Sequence, residues 1–312
     1  MNSRYPLIFI VGPTATGKTE IAVELAKKVS AEIISCDSML VYKEPVILVN
    51  KPDKETLGDI KHYMIGLVSV EEDFDVYRFK KEVDEIVKEN YPYKNLIFTG
   101  GSGLYIKVIL DGIFDEGPGS VQLRQGFIKQ AQERGVSFLY NKLKEVDPEA
   151  SIKINPNDLR RIIRALEVYY STKKPISERQ KEAKGYWDDF PVKIFGLFLD
   201  RKLLYERINQ RTEAMFERGA VQEVEEVKKY TLSKTAEKIL GISQINNYLS
   251  GKHSLANALD EVKKNTRRFA KRQFTWFRKD KRITWIDVER KSPGRVAEEI
   301  LNQLKSSGPQ KS

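Results

Sequence analysis

The chain has 312 residues, 40% of them hydrophobic, a formal net charge of +10 and one cysteine, Cys36. These values exclude a disulfide framework and a cysteine-rich zinc site, and the lack of any run of 18 apolar residues excludes a membrane-spanning helix. The charge points to a polyanionic partner, and the absence of a signal-peptide pattern makes the cytoplasm the expected compartment.

The first predicted element is a buried strand, Leu7-Ile8-Phe9-Ile10-Val11, followed by Gly12-Pro13-Thr14-Ala15-Thr16-Gly17-Lys18-Thr19. This fits G-x-x-x-x-G-K-[ST], the phosphate-cradling and ATP-binding loop. Ile21, Ala22, Leu25, Ala26 and Val29 then recur at helical spacing, so the loop opens a helix whose N–H groups and dipole converge on an anion. Lys18 adds a point charge, and the Thr19 hydroxyl is a candidate Mg²⁺ ligand. A second strand, Glu32–Ser35, delivers Asp37 and Ser38 to its C-terminal end, where ligands of open α/β sheets bind. Asp37 is therefore a candidate site residue and a second candidate metal ligand. Cys36 reads as a small buried apolar residue.

Residues 41–75 carry no clear pattern, and their only histidine, His62, stands alone. Tyr77 to Val87 suggests an amphipathic helix. Asn95–Thr99 reads as a third buried strand ending in Gly100-Gly101-Ser102-Gly103, where the Ser102 hydroxyl is placed either to bond a phosphate oxygen or to cap a helix. Gly117, Pro118 and Gly119 mark a boundary. The pattern from there to about Phe190 is helical, which divides the chain into 1–115, a helical insertion over 116–190, and 191–312. The insertion contains Asn155-Pro156-Asn157-Asp158, a turn and cap signal, before a helix whose apolar face includes Ile162 and Ile163. Arg160, Arg161 and Arg164 are either a solvated face or phosphate ligands.

Val192–Leu199 returns to strand character and ends at Asp200, like a Walker B segment, which makes Asp200 a possible metal ligand. On the helix that follows, Arg207 and Arg211 share a face, as a cationic clamp if that face meets the phosphate loop. From Lys263 to Arg282 there are ten basic residues and one acidic. Six of them lie on a predicted helix in two stripes, Lys263/Arg267/Lys271 and Lys264/Arg268/Arg272, whose mutual repulsion a polyanion would relieve. Arg282–Val288 reads as the last strand, and the polar tail after Leu304 as disordered. The fold class expected is α/β: a P-loop NTPase-like parallel-sheet core with a helical insertion domain and basic C-terminal helices.

These stretches together resemble the tRNA dimethylallyltransferase family over nearly the whole chain. The resemblance lies in GPTATGKT at Gly12–Thr19, CDSM around Asp37, GGSGLYI at Gly100–Ile106, NPNDLRRIIRALEV at Asn155–Val168 and TRRFAKRQFTWFR at Thr266–Arg278. It implies transfer of a dimethylallyl group from dimethylallyl diphosphate to N6 of the adenosine just 3′ of a tRNA anticodon, with Mg²⁺, by a monomer whose insertion grips the anticodon arm. It implies that Asp37 is the general base. Lys18, with Arg207 or Arg211 and the loop Gly12–Thr19, would receive the leaving diphosphate. It further implies tRNA contacts from Asp37, Ser38, Met39 and Leu40, from Ser102 and Arg124, from Arg160, Arg161, Ile162, Ile163 and Arg164, and from the basic helix at Arg267, Arg268, Lys271 and Arg272.

The sequence departs from the family pattern at Leu40, where Gln is usual, through Lys43–Pro52, at Ser102 for Thr, and at Ile242 for Tyr. Competing readings are an adenylate dimethylallyltransferase acting on free nucleotides, a P-loop small-molecule kinase, and a non-catalytic RNA-binding NTPase.

Overall fold

The computed structural model describes residues 5–114 and 121–306. The boundary signal at Gly117–Gly119 and the end of the polar tail, 307–312, lie outside the described residues. Six strands form one parallel sheet: β1 (Leu7–Val11), β2 (Ala31–Ser35), β3 (His62–Tyr63), β4 (Asn95–Gly100), β5 (Val192–Phe198) and β6 (Ile283–Asp287), in the order β3-β2-β4-β1-β5-β6. All of β1 and nearly all of β4 are buried, as expected for parallel strands covered on both faces. The parallel core anticipated from the sequence is present. The strand anticipated as third is fourth in the chain, because the two-residue β3 pairs with β2 inside the stretch that carried no pattern.

The helices are α1 (Lys18–Val29), α2 (Lys54–Leu57), α3 (Val76–Asn90), α4 (Gly103–Asp111), α5 (Val121–Arg134), α6 (Val136–Val146), α7 (Pro148–Lys153) and α8 (Leu159–Thr172). They continue with α9 (Ile176–Glu182), α10 (Tyr186–Asp189), α11 (Arg201–Glu217), α12 (Ala220–Val227), α13 (Ile242–Leu249), α14 (Leu255–Phe277) and α15 (Pro293–Ser306). The described residues fall into two compact units. One is built from the chain up to Val108 and again from Phe190 onward, the other from Ile109 to Asp189.

In the first unit, Ile8 and Ile10 of β1, Ile33 of β2 and Ile97 of β4 pack with the apolar side of α1 and with Val296, Ala297, Ile300 and Leu304 of α15. The opposite sheet face stacks Phe9 on Phe98 at 4.4 Å, as the strand period of two requires. In the second unit Leu139, Leu143, Ile162, Ile163 and Leu166 form a separate core. There the buried Asp147 caps α7 through Ala150 N and accepts from both the N–H and the hydroxyl of Ser177.

At the end of β4 the chain passes so close to the end of β2 that a Cβ on Gly100 would lie 2.2 Å from the Cys36 carbonyl oxygen. No rotamer relieves a backbone clash. Gly100→Ala is expected to lower the melting temperature by roughly 2–12 °C, from an overpacking cost of about 1–3 kcal/mol at about 2–4 °C per kcal/mol. A thermal melt checks this, and a variant melting within about a degree of the parent would show that the two strand ends can separate freely.

Candidate phosphate-binding active site

The loop Gly12–Thr19 leaves β1 and enters α1 through Gly17, whose φ of 82° places it at the left-handed N-cap. Ala15 also has positive φ, 65°, the kind of backbone strain that persists where surrounding structure enforces it. The buried Thr16 donates its hydroxyl to Pro13 O at 2.9 Å, and Lys18 Nζ reaches the same carbonyl at 2.6 Å. These bonds fold the loop back on itself. Thr14, Ala15, Gly17, Lys18 and Thr19 are left lining a cleft of about 340 Å³. Thr16 and Pro13 therefore shape the loop internally, and the Thr16 hydroxyl is already engaged.

Asp37, just beyond β2, lines the same cleft. Its Oδ1 accepts from Met39 N at 2.9 Å, which is an Asx turn, so one carboxylate oxygen is held by the backbone. Ser38 N donates to Ser102 Oγ at 2.9 Å, and that hydroxyl donates to Ser38 Oγ at 3.1 Å. Ser102 thus fastens the Asp37 turn to the segment after β4. The pleat carries the rest. Ile33, opposite His62 in the β2–β3 register, and Ser35, opposite Thr99 in the β2–β4 register, present one face to the cleft with both partners.

Arg207 and Arg211, one turn apart on α11, both line the cleft, and Arg211 Nη2 donates to Thr14 Oγ1 at 2.8 Å. Burial pulls the Lys18 ammonium down to about 8, with Arg211 pushing the same way and Asp37 and Glu20 opposing. Burial also lowers Arg211, again against Asp37 and Glu20, but a guanidinium keeps its proton. Three residues that line the cleft each carry a buried polar atom with no hydrogen-bond partner within the chain: Arg211 Nε, Thr99 Oγ1 and His62 Nε2. Orphaned buried groups are rare in finished proteins, and three of them sit on residues of this one cleft.

The cleft also has an apolar lining from Ile33, Leu40, Val49, Pro52 and Ile65. Val49 and Pro52 arrive on the stretch Lys43–Pro52, which departs from the family pattern. Glu223 of α12 anchors it by accepting from three successive backbone N–H groups, Val46, Ile47 and Leu48, at 2.7, 2.7 and 2.8 Å. An anchor that reads only main-chain N–H groups does not depend on side-chain identity at these three positions, proline excepted.

Several sequence expectations need correction. Asp200 is exposed and caps α11, its Oδ1 accepting from Lys202 N and Leu203 N, and it does not line the cleft. Ile162 and Ile163 are 0% and 5% exposed in the core of the second unit, so their side chains cannot touch RNA. Arg124 makes a two-pronged ion pair with the buried Glu167, at 2.7 and 2.8 Å, and Arg164 lies 3.7 Å from the same carboxylate. Arg161 pairs with Asp158 at 3.3 Å, and Arg160 is exposed.

On α14 the inward stripe is Ala258, Val262, Thr266, Ala270, Gln273 and Phe277, with Leu255 exposed. Of the first basic stripe, Lys263 pairs with Glu213 and Arg267 donates to Asn209. Lys264, Arg268, Lys271 and Arg272 are all exposed. Phe277 is buried, while Phe274 and Trp276 are partly exposed.

A parallel sheet with a phosphate loop at the head of α1, cations converging on it and a carboxylate beside it defines a P-loop-type phosphate-binding enzyme. The comparisons narrow this. The family model described as IPP transferase matches residues 40–280, and the chain belongs to that family. It is 42% identical to the tRNA dimethylallyltransferase of Natranaerobius thermophilus, over 96% of this chain and 91% of the relative. It is 43% identical to that of Acetivibrio thermocellus, over 91% and 92%. Among solved structures, the tRNA isopentenylpyrophosphate transferase of Bacillus halodurans superposes with a TM-score of 0.69 at 32% identity, covering 97% of this chain and 98% of its own. A eukaryotic dimethylallyltransferase acting on tRNA superposes with a TM-score of 0.81 at 26% identity, covering 98% and 81%.

Proposed function

We infer that this chain transfers a dimethylallyl group from dimethylallyl diphosphate to N6 of the adenosine just 3′ of a tRNA anticodon, releasing diphosphate. The observation that carries the reading is the dual lining of one cleft. Lys18, Arg207, Arg211 and the loop N–H groups suit a diphosphate, and Ile33, Leu40, Val49, Pro52 and Ile65 suit a five-carbon apolar chain.

An exocyclic amine is a poor nucleophile because its lone pair is delocalised into the ring. The Asp37 oxygen not held by Met39 is the base that takes its proton as the C–N bond forms. The C–O bond to the donor breaks at the same centre, and Lys18 and the arginines receive the charge that grows on the leaving diphosphate. The base must leave its stack to enter such a cleft.

Hard oxygen donors suit Mg²⁺, and the Thr19 hydroxyl and the Asp37 carboxylate are among those lining the cleft. Among the described residues no cluster of three or more His, Cys, Asp or Glu could hold a metal alone, so the remaining ligands would be diphosphate oxygens and water. When bound, Mg²⁺ supplies further charge neutralisation to the leaving group. The Asp37 oxygen cannot ligate metal and take a proton at once, so we assign Thr19 as the metal ligand and Asp37 as the base.

We propose that the anticodon arm is held by the exposed cations of α14, Lys264, Arg268, Lys271 and Arg272. The exposed basic face favours tRNA over a free adenine nucleotide, which needs no such surface. A monomer is the working form proposed here. No helix among the described residues is long and apolar enough to cross a membrane.

Incubation with labelled dimethylallyl diphosphate, Mg²⁺ and either unmodified tRNA or AMP tests the reading. Label is expected in tRNA, and label in AMP alone would replace this reading with the nucleotide-modifying one. tRNA affinity is also expected to fall steeply with salt through counterion release. Lys271→Ala with Arg272→Ala should flatten the slope of log affinity against log salt by about one unit per lost phosphate contact. An unchanged slope would make this face of α14 a solvated surface only.

A further inference from the structure

Gln273 lies on the inward stripe of α14, 6% exposed, and has no part in the chemistry above. Both ends of its amide are engaged across the fold. Its Oε1 accepts from Thr14 N at 2.9 Å, and its Nε2 donates to Gly101 O at 2.9 Å. Thr14 N can only donate and Gly101 O can only accept, so one orientation of the amide satisfies both and the reverse satisfies neither.

The approach is close enough to need a glycine. A Cβ on Gly101 would lie 2.2 Å from Gln273 Nε2. Thr14 is held a second time through its side chain, by Arg211 Nη2 at 2.8 Å. N–H groups of a phosphate loop ordinarily turn to the anion. Here the N–H of one cleft-lining residue is instead fixed on a buried protein acceptor.

We propose that Gln273 is a positioning residue that locks Thr14, and through it the phosphate loop, in the shape that receives diphosphate. The proposal rests on reading the cleft as a diphosphate site. Gln273 touches neither substrate. Its removal leaves Thr14 N without its acceptor and lets the loop adopt other conformations, which weakens the diphosphate end of the cleft. The cations that would face RNA lie on the exposed side of α14 and are untouched.

The test uses the full chain and two variants that break the same link from opposite sides. Gln273→Met keeps the volume and removes both bonds. Gly101→Ala leaves α14 intact and displaces the amide. The readouts are the Kd for inorganic diphosphate by calorimetry, KM and kcat for dimethylallyl diphosphate, the Kd for tRNA, and a thermal melt. Each variant is expected to raise the diphosphate Kd and the donor KM roughly tenfold, the cost of one buried group losing its partner, with tRNA Kd unchanged. The double variant should add little to either single one, because both remove one shared interaction.

An unchanged diphosphate Kd in a folded variant overturns the proposal. So does an equal loss of tRNA affinity, which would make Gln273 a shape determinant of the whole helix. If Gln273→Met does not melt cooperatively, Gly101→Ala decides. A parent chain that binds no diphosphate would refute the cleft assignment itself, and that result is distinct from a parent that binds and a variant that binds equally well.

Discussion

Asp37→Asn lowers the rate of dimethylallyl transfer by roughly two to four orders of magnitude, the range expected for loss of a positioned general base, while donor binding persists. Asn is the informative replacement. Its side-chain oxygen can still accept from Met39 N, so the turn after β2 that Asp37 holds at 2.9 Å survives, and only the proton-accepting oxygen is lost. Asp37 is also the anion that draws on the Lys18 and Arg211 charges. Neutralising it makes the cleft more positive, so the donor Kd should stay level or tighten. Asp37→Ala removes the turn as well and should lose transfer to the same extent or further. Single-turnover rates with saturating donor, alongside a donor Kd measured without tRNA, check both halves. Near-parental turnover in Asp37→Asn would sink the base assignment, and a collapse of donor binding would move Asp37 into the diphosphate machinery.

The phosphate loop is legible in the sequence because everything that makes it is local: an apolar run, a glycine at the turn, a lysine and a hydroxyl at the first helical positions. Asp37 is legible for a related reason, since strand ends of parallel sheets collect ligand-facing residues. His62 is not. It reaches the cleft through a two-residue strand whose only signal is its register with Ile33, and a register with a distant strand leaves no trace in the local pattern. Thr99 sat inside a strand that could be read, but its unpartnered hydroxyl follows from the packing around it.

The miscalled elements fail for the complementary reason, that two physical causes leave the same local pattern. An Asp after an apolar strand is as well suited to cap the next helix as to hold a metal, and Asp200 caps. An Arg-Arg-Ile-Ile-Arg run puts isoleucines and arginines at neighbouring positions, but the helical period sends Ile162 and Ile163 inward. The α15 helix carries a plain 3.6-residue stripe, Val296, Ala297, Ile300 and Leu304, so the means to find it were present. The stripe packs against α1, the helix that the phosphate loop opens.

Lys18→Met is expected to lose donor binding by roughly two to three orders of magnitude and, at neutral pH, to melt higher than the parent. Both follow from one fact: burial holds the Lys18 ammonium at about 8, below its ordinary value of 10.5. In the unfolded chain the group keeps its proton up to the ordinary value. Between about 8 and 10.5 the unfolded state therefore binds more protons than the folded one, so this group's contribution to stability rises with pH across that window and is least favourable below it. Below pH 8 the buried charge costs the unliganded fold on the order of 3 kcal/mol. Methionine fills the same space without that cost, and the melting temperature should rise by several degrees at roughly 2–4 °C per kcal/mol. The donor reverses the balance. A diphosphate prefers the protonated amine, and truncating one partner of a buried charge pair costs several kcal/mol of affinity. It follows that donor affinity in the parent is flat below about pH 8 and declines above it, and that in Lys18→Met it is weak and insensitive to pH over the same range, since Arg211 does not titrate there. Calorimetric titration with the donor from pH 6.5 to 9.5, with melts of both proteins, measures the two effects together. A parent affinity that stays level through pH 9.5 would mean that Lys18 does not face the diphosphate. A variant that melts below the parent would mean that the ammonium is held by partners strong enough to make its burial favourable.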